Sequence, residues 1–430
     1  LTNTVTDSTL NSNGGTLNAG KSTIPNLDLD HVVSNITGGT QNFTNTIFKN
    51  GSRTYVNDIT PTLSESTNFI NTTFNGYSYA GSGAAIYNQS GTVNIDPTNF
   101  SGFTSTGDGG AIYNSGTTIF NGGTYDNNIA TNGGAIYNSG TATFTNTTFT
   151  GNHATANGGA IYNLGTLYLK ADGAQTILTG NTAGAISNGL YNHGTVYLNA
   201  EHGGTIVFND TVNSSDITTS TININAALGS APLTDGTVYF NNNITNSTIN
   251  LYNGMIVINR ETYVSGNNLG IYDGIINTQN NNIGTMAFNN ATFTGISNWL
   301  VDVDLANKTG DAITTTGTTS GVLNISSINL LSDANAVNTS VIVADSNTKD
   351  HLSTSVSSVN GALFKYGVSY NAAGANGVLN FFKTGVSPNA VTSDVAQTST
   401  FLLQTAIDRQ FFGNIDTFMS FPLATRESTI

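Results

Sequence analysis

The chain has 430 residues, of which only 8% are charged, and its 25 acidic against 11 basic residues give a net charge of −14. Nucleic acid and anionic membrane surfaces are excluded as partners, because phosphate binding needs clustered cations and the sequence has no basic cluster. Disorder is disfavoured, since 37% of the residues are hydrophobic and many of these are β-branched or aromatic residues at regular intervals.

Cysteine is absent from the chain, which fits a protein that is exported unfolded and folds outside the cell. The sequence opens at Leu1 without a basic and apolar signal segment. No stretch approaches the roughly 18 apolar residues of a membrane-spanning helix. We therefore expect a processed chain whose signal and membrane anchor lie outside these residues.

A repeated hexapeptide dominates the first half of the chain. Gly-Gly-Ala-Ile-Tyr-Asn occurs at 109–114, 133–138 and 158–163, with a near copy at 83–88 and a degenerate copy that ends at Asn192. Its tyrosines are spaced by 26, 24, 25 and 29 residues, and such a period indicates stacked repeats. These tyrosines are Tyr87, Tyr113, Tyr137, Tyr162 and Tyr191.

Two further elements accompany each copy. A Gly-Thr pair with an alternating run, such as 140–144, follows the hexapeptide, and a Phe-x-x-Asn element, such as 149–152, precedes the next copy. Segments 204–208 and 236–240 follow the Gly-Thr template outside the tyrosine series. Each unit therefore offers three strands of about 4 to 6 residues, separated by Gly and Asn corners. The alternating runs end on Ile95, Phe120, Phe144, Leu169, Leu198, Phe208 and Phe240.

These strands predict an all-β fold, a right-handed parallel β-helix. Stacking one coil on the next completes the hydrogen bonds and buries the inward side chains. A helical solenoid is excluded by the Gly, Asn and Thr content, and a propeller blade of about 40 residues exceeds this period. We expect paired glycines to turn the backbone, and the repeated asparagines to lie at corners with φ above zero and to pair between coils. The predicted columns are Ile86, Ile112, Ile136 and Ile161 inside, Phe120 and Phe144 inside, and Asn88, Asn114, Asn138 and Asn163 at the corners.

Gly-Gly-Ala-Ile at 158–161 together with Phe-x-x-Asn at 149–152 resembles the repeats of chlamydial polymorphic outer-membrane proteins. Those proteins look like autotransporter passengers, and the resemblance implies surface adhesion. Clear copies cover about residues 69 to 198, and the absence of cysteine departs from the chlamydial members. The resemblance also implies a partner outside this chain, an outer-membrane β-barrel translocator.

A second resemblance lies downstream. Segments 299–305, 311–313 and 321–325 look like the C-terminal end of autotransporter passengers, which closes the β-helix and assists its folding. Segments 366–370 and 377–381 look like its last strands. The predicted parts are a β-helix passenger at 1–298 whose first 50 or so residues form a cap, an autochaperone-like closing part at 299–385, and a linker at 386–430. From Ser393 the linker has helical spacing of apolar residues, so we expect an amphipathic helix there, either preceding a membrane barrel or capping the solenoid.

Carboxylates and histidines are the candidate catalytic or metal-binding groups, because many β-helices cleave polysaccharides with acids from neighbouring coils. Asp302 and Asp304, and Asp28 and Asp30, each lie two residues apart and are predicted on solvated strand faces. The repeated tyrosines could stack on sugars, although interior or corner packing is the favoured interpretation. No catalytic, cofactor or metal residue is therefore predicted. Arg260 and Glu261 are interpreted as an exposed pair, and His193 and His202 as surface groups rather than zinc ligands. Asp108 with its two glycines lacks the spaced repeats of calcium-binding β-rolls. The histidines as a set show no ligand spacing; the others are His31, His153 and His351.

The predicted function is that of a non-catalytic, extracellular adhesin on a bacterial surface. It would bind a host or neighbouring-cell protein or glycan through many weak contacts along an extended face. Two alternatives stay open at this point. One is a structural surface or filament component, and the other is a polysaccharide lyase or hydrolase.

Overall fold

The computed structural model describes residues 3–6, 9–19, 27–30, 32–49, 52–57, 66–214, 216–226, 236–259, 264, 266–334 and 336–388. These residues form β-strands in three sheets and one 3-10 turn, Lys349–His351. No α-helix occurs within these ranges. The predicted β-helix is confirmed as an all-β parallel solenoid, and its right-handedness stays a prediction.

The first sheet, here called the long stack, has 16 strands, and all but Thr309–Gly310 pair in parallel along one path from the first coil to the last. Each coil contributes one short strand, because the chain must return to the same face after every turn of the solenoid. The strands are Asn3–Thr6, Leu27–Asp30, Ile47–Lys49, Thr73–Asn75, Asn99–Ser101, Thr124–Asp126, Thr148–Thr150, Gln175–Thr179, Thr205–Phe208, Thr237–Phe240, Met255–Ile258, Gly274–Asn277, Ser297–Asp304, Thr309–Gly310, Leu323–Ser332 and Leu352–Thr354.

The second sheet, the double sheet, has 25 strands. In the regular coils it has two limbs, one formed by the Ile-Tyr-Asn strands and one by the runs that follow Gly-Thr. The strands are Thr9–Ala19, Val33–Thr44, Arg53–Asn57, Thr67–Ile70, Ile86–Ser90, Thr92–Asp96, Ile112–Asn114, Thr117–Asn121, Ile136–Asn138, Thr141–Thr145, Ile161–Asn163, Thr166–Asp172, Leu190–Asn192, Thr195–Glu201, Val212–Asn213, Thr221–Ile224, Thr248–Leu251, Asn267–Ile271, Thr285–Phe293, Ala312–Thr315, Thr319–Ser320, Asn338–Ala344, Ser358–Asn360, Phe364–Asn371 and Gly377–Val386.

A third sheet of 6 strands, the short stack, was not predicted. It gives the regular coils four strands where the sequence predicts three. One of its columns joins different residue types, Ile129, His153 and Thr182, and the next joins only the small residues Ala130, Ala154 and Ala183. The sequence therefore gives only a weak repeated signal for these strands. The strands are Ser78–Tyr79, Thr104–Ser105, Ile129–Asn132, His153–Asn157, Thr182–Ala183 and Ile186–Ser187.

The predicted interior columns are confirmed. The isoleucines pair in register from coil to coil and are completely buried, and the rings of Phe120 and Phe144 stack with centroids 4.2 Å apart. The paired glycines also behave as expected. Gly133 has a φ of +60°, and a Cβ on Gly134 would lie 2.1 Å from the carbonyl oxygen of Gly159.

The asparagine prediction is half right. The amides pair between coils, since Asn114 Nδ2 donates to Asn138 Oδ1 at 2.8 Å and Asn138 Nδ2 donates to Asn163 Oδ1 at 2.8 Å. However, they lie in strands and are buried, without positive φ. Buried amides need partners, and the ladder supplies them inside the solenoid. Asparagines with positive φ occur elsewhere, at Asn45, Asn71, Asn127, Asn146, Asn225, Asn246 and Asn281.

The segments at 204–208 and 236–240 share the Gly-Thr template but not its place in the fold. Phe208 pairs with Leu178 and with Phe240 in the long stack, whereas Thr221–Ile224 continues the Gly-Thr limb of the double sheet. Both faces need a glycine corner followed by an inward apolar residue, so the local sequence alone does not distinguish them.

The solenoid changes pairing at its C-terminal end. Asn338–Ala344, Gly377–Val386 and Phe364–Asn371 pair in antiparallel fashion, so 366–370 and 377–381 do lie in the last described strands. At the other end, the described backbone before residue 50 forms further parallel strands of the same stacks, and the cap expected there stays a prediction. The helix predicted from Ser393 and the pair Arg260 and Glu261 lie outside the described residues.

Candidate binding face

A row of tyrosines runs along the outer face of the Ile-Tyr-Asn limb. Strict alternation in each strand puts the isoleucine inside and the tyrosine outside, and parallel in-register pairing places each ring over the next. The favoured interior or corner packing is therefore wrong for Tyr87, Tyr113, Tyr137 and Tyr162, which are partly exposed, whereas Tyr191 is buried. The row, here called the tyrosine ladder, consists of Tyr55, Tyr87, Tyr113, Tyr137, Tyr162 and Tyr191.

The rings of the ladder stack face to face. The centroids of Tyr87 and Tyr113 are 4.6 Å apart with planes inclined by 4°, and those of Tyr113 and Tyr137 are 4.8 Å apart with planes inclined by 7°. Tyr162 and Tyr191 follow at 5.2 Å and 3°. Since neighbouring rings cover each other's faces, mainly the ring edges and hydroxyls face solvent. The four central tyrosines are half-buried, whereas Tyr191 is 9% exposed.

Tyr55 extends the ladder by one coil and was missed by the sequence analysis. It pairs in register with Tyr87, and their ring centroids are 5.3 Å apart. Its strand lacks the paired glycines and has Val56 where the repeats have asparagine. A motif search therefore passes over it, and only the outward position of the tyrosine could have revealed it.

Short polar side chains flank the ladder on both sides. Towards the short stack, Asn132 Nδ2 donates to Asp108 Oδ1 at 3.0 Å, and Asn157 Nδ2 donates to Asn132 Oδ1 at 3.4 Å. On the other side, the hydroxyl oxygens of Ser115 and Ser139 lie 2.9 Å apart. The face thus repeats the same groups, a ring edge, a phenol and short polar side chains, at nearly every coil.

The surroundings of Tyr137 and Tyr162 favour the neutral form of their phenols. Burial, the neighbouring Tyr113 and the carboxylate of Asp108 raise the pKa of Tyr137 to about 12. Burial, Tyr191 and Asp108 likewise raise the pKa of Tyr162. All of these causes disfavour a phenolate, so at neutral pH Tyr137 and Tyr162 present hydroxyls that can both donate and accept hydrogen bonds.

Arg53 lies at the N-terminal end of the ladder, but its charge is engaged locally. Its guanidinium lies 4.1 Å from the ring centroid of Tyr79, and Nη1 donates to the Tyr79 hydroxyl at 2.5 Å. Nη2 donates to the carbonyl oxygens of Ser82 and Gly83, each at 3.1 Å. This arginine fixes the turn before the first hexapeptide copy.

The prediction for Asp302 is wrong. Its carboxylate is completely buried, and Oδ2 accepts the backbone N–H groups of Asn280 at 2.8 Å and Asn281 at 2.6 Å, while Oδ1 accepts Nδ2 of Asn329 at 2.6 Å. Asp311, also buried, accepts the backbone N–H of Asp302 at 2.8 Å. These two carboxylates fasten a turn to the closing coils, because backbone N–H groups satisfy buried carboxylate oxygens.

The other candidates are dispersed. Asp304 is half-buried, and its hydrogen bonds to Ser332 and Asn307 lower its pKa. His202 Nδ1 lies 2.6 Å from Asp172 Oδ1 on the surface, and His153 Nδ1 lies 2.9 Å from the hydroxyl of Thr182. In the described ranges no three such side chains cluster around a possible metal position. The side chains of Asp28 and Asp30, and the whole of His31, lie outside the described part of the structure.

His193 and His351 also have partners. The Nδ1 atom of His193 lies 3.1 Å from the hydroxyl of Thr219, and that of His351 lies 2.8 Å from the carbonyl oxygen of Gly321.

Across the part of the chain that the structure describes, no helical segment has the length and hydropathy of a membrane span.

Comparison with known proteins singles out one of the repeats. The model of the Chlamydia polymorphic membrane protein repeat matches residues 146–164, which hold the 149–152 element and the last complete hexapeptide. No curated protein matches the chain. The chain carries a repeat of the polymorphic membrane protein type in a parallel solenoid, as fits an autotransporter passenger exposed at the cell surface or outer membrane.

Proposed function

We propose that this chain is an adhesin, the part of an autotransporter that is displayed outside a bacterial cell, and that it binds through the tyrosine ladder. The single observation that carries the proposal is the ladder itself. Contiguous exposed patches of large side chains mark interaction sites, and here a row of stacked tyrosine edges lies on the outer face of the coils.

The composition of this face supports binding to another surface. Tyr, Ser, Asn and Gly are the residues that dominate antibody paratopes, because tyrosine gives a large amphipathic contact with little loss of conformational entropy, while Ser and Asn adapt their hydrogen bonds. The partner in this proposal is a protein or glycan of a host or neighbouring cell. Repetition of the same groups from coil to coil favours avidity, since many weak contacts act together.

We also propose that the chain is non-catalytic. Two buried aspartates support this proposal. Asp302 and Asp311 accept hydrogen bonds from backbone N–H groups at a closing turn, and this arrangement stabilises the fold. A glycosidase instead needs two carboxyl groups that flank a bound sugar, whereas Asp302 and Asp311 are completely buried.

A cell-binding assay tests the adhesin proposal. The double variant Tyr113→Ser/Tyr137→Ser removes two outward rings from the middle of the ladder, and we expect the labelled chain to lose most of its binding to epithelial or bacterial cells. The matched control is Tyr168→Ser/Tyr197→Ser, which removes an equivalent stacked pair, with centroids 4.9 Å apart, from the other limb of the double sheet. Circular dichroism checks that both variants fold. Equal binding by the ladder variant and the control would refute the proposal.

A further inference from the structure

We infer that the ligand of the tyrosine ladder is a neutral, linear glycan that lies along the solenoid axis. This inference rests on the proposed adhesin function and specifies its partner. Its three supports are the repeat of the ladder, the chemistry of its exposed groups and the local charge.

The repeat of the ladder selects an extended, periodic ligand. The five steps from Tyr55 to Tyr191, at about 4.8 Å per coil, span roughly 24 Å. Each central coil presents the same ring edge and hydroxyl, so a compact ligand would use only one or two of them. One sugar unit of an extended glycan is about as long as one coil step. A cavity of about 430 Å³ lies away from the ladder, lined by 352–357 and 368–370 at the C-terminal end.

The exposed chemistry selects a polyhydroxylated ligand. Because stacking covers the ring faces, the ladder offers little of the bare aromatic plane on which a base or another ring would stack. Within the described residues, the hydroxyls of Tyr113, Tyr137 and Tyr162 make no hydrogen bond to protein and are free to bind a ligand. Beside them, the short side chains of Asn132 and Ser139 supply further donors and acceptors.

Charge selects a neutral ligand over an acidic one. At the middle of the ladder, the carboxylate of Asp108 contributes to the raised pKa of Tyr137 and of Tyr162, while the guanidinium of Arg53 lies 5.9 Å from the ring centroid of Tyr87 at the N-terminal end. The guanidinium of Arg53, at the ladder's end, is bonded to Tyr79 and to two carbonyl oxygens. A sialylated or sulfated chain would therefore meet a carboxylate without a compensating cation, in a protein of net charge −14.

The experiment measures binding of the full chain to soluble linear β-1,4-glucan oligosaccharides of increasing length and to sulfated chains of matched length. Tyr113→Phe/Tyr137→Phe keeps the stacked rings and removes only two hydroxyls, and Tyr168→Phe/Tyr197→Phe is the matched control. We expect the affinity of the native chain to rise with the length of the neutral oligosaccharide. We also expect the ladder variant to bind at least about tenfold more weakly, with the control unchanged.

Three results would overturn the inference: no binding of neutral chains, preferential binding of sulfated chains, or equal losses in the two variants. The cell-binding assay with the serine variants distinguishes failure of the glycan inference from failure of the adhesin proposal. If cell binding depends on the ladder and is abolished by protease treatment of the cells but not by glycosidases, the ladder is an adhesin surface for a protein and the glycan inference is wrong. If cell binding does not depend on the ladder, the adhesin proposal fails as well.

Discussion

The interior of the solenoid contains a phenol without a partner, and its removal should stabilise the protein. Tyr125 stacks between Phe100 and Phe149 in the long stack, with centroid distances of 5.1 and 4.9 Å. Its side chain is completely buried, and within the described residues its hydroxyl has no hydrogen-bond partner. Burial also raises its pKa well above the ordinary value.

The variant Tyr125→Phe keeps the ring and removes only this hydroxyl. An unsatisfied buried hydroxyl destabilises the folded state by about 1–3 kcal/mol. The small void left when one oxygen atom is removed offsets part of the stabilisation gained. We therefore expect the free energy of unfolding to rise by about 1 kcal/mol. Urea titration followed by circular dichroism measures it as a higher midpoint with an unchanged slope.

The reciprocal variant Phe149→Tyr controls for the general effect of a tyrosine in this column. It places a second buried hydroxyl one coil further along, so it should lower the midpoint. A lower midpoint for Tyr125→Phe at unchanged slope would refute the reasoning, because it would mean that the hydroxyl makes a favourable interaction in the folded chain.

Three further predictions concern the ladders and the closing turn. Asn138→Ala should destabilise the chain by about 2–4 kcal/mol in the same titration, since it breaks the amide ladder and leaves Asn163 Oδ1 without its donor; a loss below 0.5 kcal/mol would contradict this. Asp302→Asn should cost about 2–4 kcal/mol by weakening the acceptor of two backbone N–H groups, and an unchanged midpoint would show that the carboxylate is not needed there. The raised pKa of Tyr137, about 12, stabilises the folded chain below pH 10, and this contribution should be lost between pH 10 and about 12 because the unfolded phenol ionises first. Across that pH range the urea midpoint of Tyr137→Phe should fall less steeply than that of the native chain. If the two midpoints fall in parallel with pH, the raised pKa of Tyr137 is wrong.

The coil register was predictable because identical residues recur at each turn. Ile136 repeats with the paired glycines and the asparagine, and stacking like on like is the simplest way to bury each column. The same alternation also places Tyr137 outside once Ile136 is inside, so the exposed ladder was implicit in the sequence. The expectation that such large rings are buried obscured it.

Two features could not be predicted from local patterns. The short stack has only a weak signal, because Ile129 and His153 share neither polarity nor shape, and the column that does repeat consists of alanines, Ala130, Ala154 and Ala183. Asp302 alternates with Asp304 as if on an outer face, yet it is buried because the turn at 280–281, from the preceding coil, bonds to it. Such long-range contacts leave no periodic signal in the sequence.

Disulfide formation between coils tests the in-register stacking from which the tyrosine face follows. The chain has no cysteine of its own, so a pair can be introduced cleanly at Ser115 and Ser139, whose hydroxyl oxygens lie 2.9 Å apart. Oxidation of Ser115→Cys/Ser139→Cys should close an intramolecular disulfide rapidly, whereas Ser115→Cys/Leu164→Cys, two coil steps or roughly 10 Å apart, should stay reduced. Failure of the first pair, or equally fast closure of the second, would contradict the register and with it the tyrosine ladder.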